Sequence, residues 1–229
     1  MRSKSTEGDA LIIFLRYPEK GMVKTRLART IGNDLAFELS ICFIRDLLHT
    51  ARGVDAEMII VGTGSTGKGP AGLFGGSLRL LQHGRDLGAR MHHAFVDVFA
   101  RGFGRVALIG SDSPGLPSEY IRRAFHELRT HDIVLGPAKD GGYYLIAFNR
   151  ESLMQEVFRD VPWGTNRVFT ATMGKIDDSI LRAFVLPQWE DIDEIDDLAR
   201  FAEEPELHRC APRTREFVEM NRERIFGVK

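Results

Sequence analysis

A chain of 229 residues that is 43% hydrophobic can bury a full core, and its length fits one α/β domain better than two small ones. Its 31 lysines and arginines balance 32 acids to a net charge of −1, which gives no reason to expect nucleic acid or a membrane surface as the main partner. The longest apolar run, ALIIFL at 10–15, is far short of the roughly 20 residues needed to cross a bilayer.

The polar opening MRSKSTEGD, residues 1–9, lacks the apolar core of a secretion signal, so a polar tail and a cytoplasmic protein are expected. Strand-like runs follow at 10–15, 57–62, 105–110, 132–138, 143–148 and 182–187. Amphipathic stretches separate most of them, which predicts an α/β fold with a mostly parallel sheet covered by helices. The first helix is expected from about Asn33 to Arg52, where Leu35, Leu39, Phe43, Leu47 and Ala51 share a face. Another is expected between Asp86 and Arg101, and Ser118 stands where an N-cap would open the next. In GPAKDGGYYLI only four residues lie between one strand-like run and the next, so an antiparallel hairpin is expected and the sheet is mixed. From Pro205 the pattern turns charged and helical, with an appended helix over about 213–226. Cys42 and Cys210 form neither a disulfide framework nor a metal knuckle. The adjacent His92 and His93 point to different helix faces, which argues against a shared metal.

The loop after the first run, RYPEKGMVKTRLART, sets Arg16, Lys20, Lys24, Arg26 and Arg29 against one acid, Glu19. Ligands of open α/β sheets bind beyond the carboxyl ends of strands, so phosphate is the expected guest here. Arg26 offers a fork to its oxygens, Lys24 a point charge, and Gly21 room for backbone amides to approach. A rival loop, GTGSTGKG at 62–69, matches most of a P-loop, but Gly69 carries no hydroxyl for Mg²⁺. The prolines and glycines after it suit no helix, so it reads as a flexible connection.

Asp112 in GSDSPGL ends the run 105–110, where one carboxylate suffices as a Mg²⁺ ligand beside phosphate oxygens. EDIDEIDDL at 190–198 offers a second acid, with Asp191 and Asp193 two apart in an extended segment. Asp193 is also placed to cap a helix, with Asp196 three residues on echoing a capping box. In KDGGYY, Gly141 and Gly142 allow close backbone approach, while Asp140 and Tyr143 suit sugar hydroxyls or a ring.

The series FLRYPEKGMVKTRL, GRDLGARMHHAF, GSDSPGL, GPAKDGGYYLI, PWGT and DIDEIDDL resembles the bacterial glycosyltransferase-A-like family of nucleotide-diphospho-sugar transferases, over about residues 10–200. VKTRL is also similar to the phosphate-gripping segment of guanylyltransferases that make cofactors. The resemblance implies a Rossmann-like three-layer sandwich with a strand-end aspartate holding a divalent metal on a nucleotide diphosphate. Asp112 matches that aspartate. Asp193 is similar to the second metal aspartate of sugar-nucleotide synthetases, whose DTPEDL reads DEIDDL here with Ile195 in place of proline.

The expected function is a Mg²⁺- or Mn²⁺-dependent transferase using a nucleotide-activated sugar, with an acceptor that the sequence leaves open. Ser111 and Ser113 flank a single Asp112 where glycosyltransferases carry DxD, so two alternatives stand. One is nucleotidyl transfer from a nucleoside triphosphate with pyrophosphate release; the other is a nucleotide-binding module without catalysis. The candidate catalytic residues are Lys24, Arg26 and Asp140. Candidate substrate contacts are Arg16, Gly21, Gly141, Gly142 and Tyr143, and the candidate metal ligands are Asp112 and Asp193.

Overall fold

The computed structural model describes residues 8–64, 70 and 72–227. The strands are β1 (Asp9–Arg16), β2 (Glu57–Thr63), β3 (Leu78–Leu81), β4 (Arg105–Ile109), β5 (Ile133–Pro137), β6 (Tyr143–Asn149) and β7 (Ala183–Val185). They form one sheet in the order β3-β2-β1-β4-β6-β5-β7. β6 runs antiparallel to β4 and β5, and every other pairing is parallel. This is the mixed, mostly parallel α/β sheet that the strand rhythm and the KDGG hairpin predict.

β1 shows why the sheet is covered on both sides. Leu11, Ile13 and Leu15 enter one core with Ile44, Leu47, Ile121 and Phe125, while Ala10 and Ile12 enter another with Met91, Phe95 and Phe99. The first core lies under α2 (Asn33–Arg52) and α4 (Ser118–Glu127), the second under α3 (Leu87–Phe99) and α5 (Val168–Asp177). Alternate residues of one strand therefore serve opposite helix layers, which is why the run is apolar without a break.

Four elements depart from the sequence expectation. β3, LRLL, is a short edge strand with Leu81 62% exposed, so it carries no inward-outward alternation. The basic loop closes early into α1 (Thr25–Ile31), which buries Leu27 and Ile31 and is too short for a clear period. Ser118 is the first helical residue of α4, and Pro117 holds the N-cap with no side-chain bond. The C-terminal segment forms two helices, α8 (Pro212–Met220) and α9 (Arg222–Phe226), separated at Asn221. Between β7 and these lie α6 (Ile195–Glu203) and α7 (Pro205–His208). Residues 1–7 of the polar tail and residues 65–69 of the GTGSTGKG loop lie outside the described residues.

A third core joins α1 and α2 to the C-terminal helices through Leu27, Leu39, Phe43, Phe201 and Phe217. Its polar clamp is Asp46 of α2, which is 0% exposed. Ala211 at the N-cap of α8 has no side-chain acceptor, and Asp46 supplies one from the neighbouring helix. Its carboxylate accepts from the backbone N–H of Arg213 at 3.2 Å and of Thr214 at 2.8 Å, and from the Arg213 guanidinium at 3.3 Å. Asp46→Ala leaves those donors unpaired and is expected to cost about 2–4 kcal/mol. Arg213→Ala, at a half-exposed partner, should cost less than about 1 kcal/mol. Urea unfolding of the two variants measures the difference.

Candidate active site

β1 and β4 lie side by side and parallel, and the chain leaves them toward opposite edges of the sheet. The crevice past their carboxyl ends is the topological switch point, where open α/β sheets bind ligands. Arg16 ends β1 there, and Gly110, Ser111 and Asp112 leave β4 beside it.

The second acid arrives by a backbone route. After β7 the chain continues along the hairpin, with Trp189 N–H donating to Pro137 O and Lys139 N–H donating to Trp189 O, each at 3.0 Å. Ile192 N–H then donates to Asp112 O at 2.9 Å, which sets Asp193 next to Asp112 across 81 positions of sequence. The capping box expected for Asp193 and Asp196 sits one residue further on. Glu194 is the N-cap and Asp197 its partner, whose Oδ2 also accepts from Asp193 N–H at 3.1 Å. Asp193 is thereby free of helix duty, and its side chain turns to the crevice.

Lys24 occupies the point where the two acids meet. Its Nζ lies 2.6 Å from Asp112 Oδ1 and 3.0 Å from Asp193 Oδ1, and donates to Ile192 O at 2.6 Å. Three acceptors match the three N–H groups of an ammonium. The stem passes over Phe43, with Nζ 5.4 Å from the ring centre, and the side chain is only 7% exposed. Burial alone would lower the Lys24 pKa, yet the charges and hydrogen bonds of Asp112 and Asp193 raise it. Burial likewise favours neutral Asp193, but the Lys24 charge and hydrogen bond hold its carboxyl below the usual range. The geometry has a backbone cost: Lys24 is left-handed at φ 46°, disfavoured for a residue with a Cβ by about 1 kcal/mol.

Two cavities open on either side of these carboxylates. One, of about 280 Å³, is polar and basic, lined by Arg16, Lys24, Thr25 and Arg26 with Asp112 and Asp193. Arg26 is exposed, 3.8 Å from Glu194, and the Arg16 guanidinium donates to Met22 O at 3.2 Å. The other, of about 420 Å³, has an apolar wall of Phe14, Met91, Tyr143 and Trp163, and shares Arg16, Asp112 and Asp193 with the first. Asp140, Gly142 and Asp191 complete its polar side. Gly21 and Gly141 line neither cavity. Gly21 turns the chain, at φ 76°.

Among the described residues, no three or more His, Cys, Asp or Glu side chains are grouped to hold a metal ion. A divalent ion at the Lys24 position would have Asp112, Asp193 and the Ile192 carbonyl from the protein. That all-oxygen, partly filled set suits Mg²⁺ or Mn²⁺, which keep water and substrate oxygens as remaining ligands.

Residues 46–165 match the model of the family described as "uncharacterized protein conserved in bacteria", DUF2064. The chain belongs to this family. No curated protein matches it. Among solved structures, a Desulfovibrio desulfuricans G20 protein provisionally described as a nucleotide-diphospho-sugar transferase is 33% identical, with a TM-score of 0.86 over 95% of this chain and 96% of that one. CMP:2-keto-3-deoxy-manno-octonic acid synthetase complexed with CTP shares the fold at 9% identity, TM-score 0.53, over 84% and 96% of the two chains. A Mycobacterium tuberculosis H37Rv protein in complex with manganese does so at 17% identity, TM-score 0.52, over 86% and 99%. The fold of this DUF2064 chain is thus the nucleotide-diphospho-sugar transferase fold.

Several residues that line the cavities stand outside the candidates read from the sequence. Trp163 and Thr165 come from PWGT, and Gln82 opens the segment that leads to α3; all three line the larger cavity. Gln82 Nε2 donates to Leu15 O at 2.9 Å and Val61 O at 3.2 Å, tying β1 to β2 at the rim. Glu190, 8% exposed, pairs with Lys139 of the hairpin and with Arg200 of α6 at 2.9 Å. It thus pins the hairpin to the segment carrying Asp191 and Asp193. Burial, with the nearby carboxylates of Asp140, Asp193 and Asp112, pushes Asp191 up to about 7.

In the hairpin, Asp140 Oδ1 accepts from Gly142 N–H at 2.7 Å, and burial raises the Tyr143 phenol, whose oxygen lies 3.9 Å from Met91 Sδ. Gly141 has φ 91°, and a Cβ there would stand 2.2 Å from the Asn166 carbonyl oxygen. Gly141→Ala is therefore expected to cost about 2 kcal/mol or more. Gly142→Ala, with only the Asp140 side chain near its Cβ at 3.1 Å, should cost less than about 1 kcal/mol. Thermal melting of both variants tests the assignment of Gly141 to packing.

Proposed function

We propose that the chain is a transferase of nucleotide-linked substrates that works with Mg²⁺ or Mn²⁺ and takes a nucleotide-activated sugar as donor, within a single domain. The observation that carries this reading is the convergence of Asp112 and Asp193 on one cation position between a basic and a partly apolar cavity. Support comes from the 33% identical relative, provisionally described as a nucleotide-diphospho-sugar transferase, and from the manganese complex of the same fold.

In this reading the diphosphate lies in the basic cavity, where Arg26 and Arg16 offer forked N–H groups and Lys24 a point charge. These cations stabilise the negative charge that collects on the departing diphosphate, which is electrostatic catalysis. A divalent ion on Asp112 and Asp193 supplies Lewis-acid neutralisation of the same oxygens. The acceptor lies in the larger cavity, where Asp140 and Asp191 face its hydroxyls and Tyr143 and Trp163 its apolar body.

Nucleotidyl transfer is the second reading, favoured by the CTP complex of a synthetase with this fold and by the single Asp112 in place of DxD. It uses the same groups, with pyrophosphate departing. A thermal-shift screen of nucleoside triphosphates and nucleotide sugars, with and without Mn²⁺, is expected to give a metal-dependent rise in Tm for one class. Asp112→Asn should weaken that binding about tenfold or more in calorimetry. Retention of full metal-dependent affinity by Asp112→Asn rules out the assigned cation site, and release of pyrophosphate in turnover decides for nucleotidyl transfer.

A further inference from the structure

The Lys24 ammonium and a divalent ion have the same address. All three N–H groups of Lys24 are spent on Asp112 Oδ1, Asp193 Oδ1 and Ile192 O, at 2.6 to 3.0 Å, with the lysine side chain itself buried. These are also the protein oxygens that a metal there would use. Two cations within bonding distance of the same carboxylate oxygens repel each other and compete for the same lone pairs. Lys24 must therefore leave before a metal can use these oxygens.

An alternative seat lies next to it. Lys24 lines the basic cavity together with Arg16, Thr25 and Arg26, and its four-carbon stem lets the ammonium move while the backbone stays fixed. Without a ligand, a move deeper into that cavity takes the ammonium away from the carboxylates and toward the Arg16 and Arg26 guanidiniums. With a diphosphate it offers anionic oxygens, and leaving the carboxylates is compensated.

We infer that Lys24 is the resident cation of the Asp112–Asp193 pair, that it excludes free divalent metal, and that the metal binds only when diphosphate oxygens draw Lys24 away. The inference rests on the metal-site reading proposed above and adds its regulation: the species the site accepts is the metal–diphosphate complex. Lys24 thereby couples phosphate binding to metal binding, and neither the paired acids nor the buried ammonium is left uncompensated at any stage.

The test uses Mn²⁺ alone, titrated into wild-type protein, Lys24→Met, Asp112→Asn and the Lys24→Met/Asp112→Asn double variant, with the free ion read by electron paramagnetic resonance. Methionine keeps the apolar stem over Phe43 and removes the charge. Lys24→Met should bind one Mn²⁺ about tenfold or more tightly than wild type, and the double variant should lose that gain. Melting curves add a second readout: Mn²⁺ should raise the Tm of Lys24→Met more than that of wild type or of the double variant. Equal Mn²⁺ affinity in wild type and Lys24→Met, with Asp112→Asn weakening the wild-type site, overturns the exclusion while leaving the aspartates as ligands. Absence of Mn²⁺ binding by folded Lys24→Met overturns both the exclusion and the metal-site reading. Wild-type protein gives an independent measure through the Lys24 ammonium resonance in ¹⁵N NMR. That resonance should stay put with Mg²⁺ alone and shift with magnesium pyrophosphate; no shift with magnesium pyrophosphate overturns the inference.

Discussion

A buried ammonium tolerates its surroundings only if each of its N–H groups finds an acceptor, and Lys24 meets that condition with oxygens from two distant segments of the chain. The rest of the site is arranged to make this possible. The turn after β4 presents Asp112, and the return segment reaches it through the Ile192–Asp112 backbone bond. Ile192 serves twice, its N–H holding the turn and its carbonyl holding the lysine. Glu190 anchors the same segment from behind through Lys139 and Arg200. The charge balance is local: one cation between two acids, flanked by arginines on one side and further carboxylates on the other.

That balance also divides the labour between the cavities. The basic one gathers Arg16, Lys24 and Arg26 around a partly apolar wall of α2, which suits phosphates. The larger one joins aromatic and aliphatic side chains to a few carboxylates, which suits a body with hydroxyls. Asp112, Asp193 and Arg16 belong to both, and in the proposed transfer the bond to be broken lies at their boundary.

Much of the fold was legible because β1, β2, β4 and β6 are buried on both faces and read as unbroken apolar runs. β3 was invisible for the opposite reason: four residues on an exposed edge bury too little to leave a pattern. α1 was hidden inside a loop defined by its charges, since its only buried residues, Leu27 and Ile31, are one turn apart. At the site, strand-end position singled out Asp112 and the residue pair after the last strand singled out Asp193, and the two do meet. What the sequence could not disclose is that Lys24, chosen as a phosphate ligand, spends its hydrogen bonds on those acids. Nothing local in VKTRL encodes a partner 169 positions away. Gly141 shows a similar limit: a glycine beside a ligand loop and one required by an Asn166 carbonyl look alike in sequence.

Helix α2 binds the far end of the chain and the site into one mechanical piece. Near its middle, Ser40, Phe43 and Ile44 form a wall of the basic cavity, and less than a turn beyond them Asp46 grips the start of α8. Phe43 packs in the same apolar cluster as Phe217 and Ile225. Loosening the last helices would therefore tilt or soften that wall of the basic cavity although, among the described residues, none of α8 or α9 lines it. A fusion or truncation at that end is an intervention on the pocket.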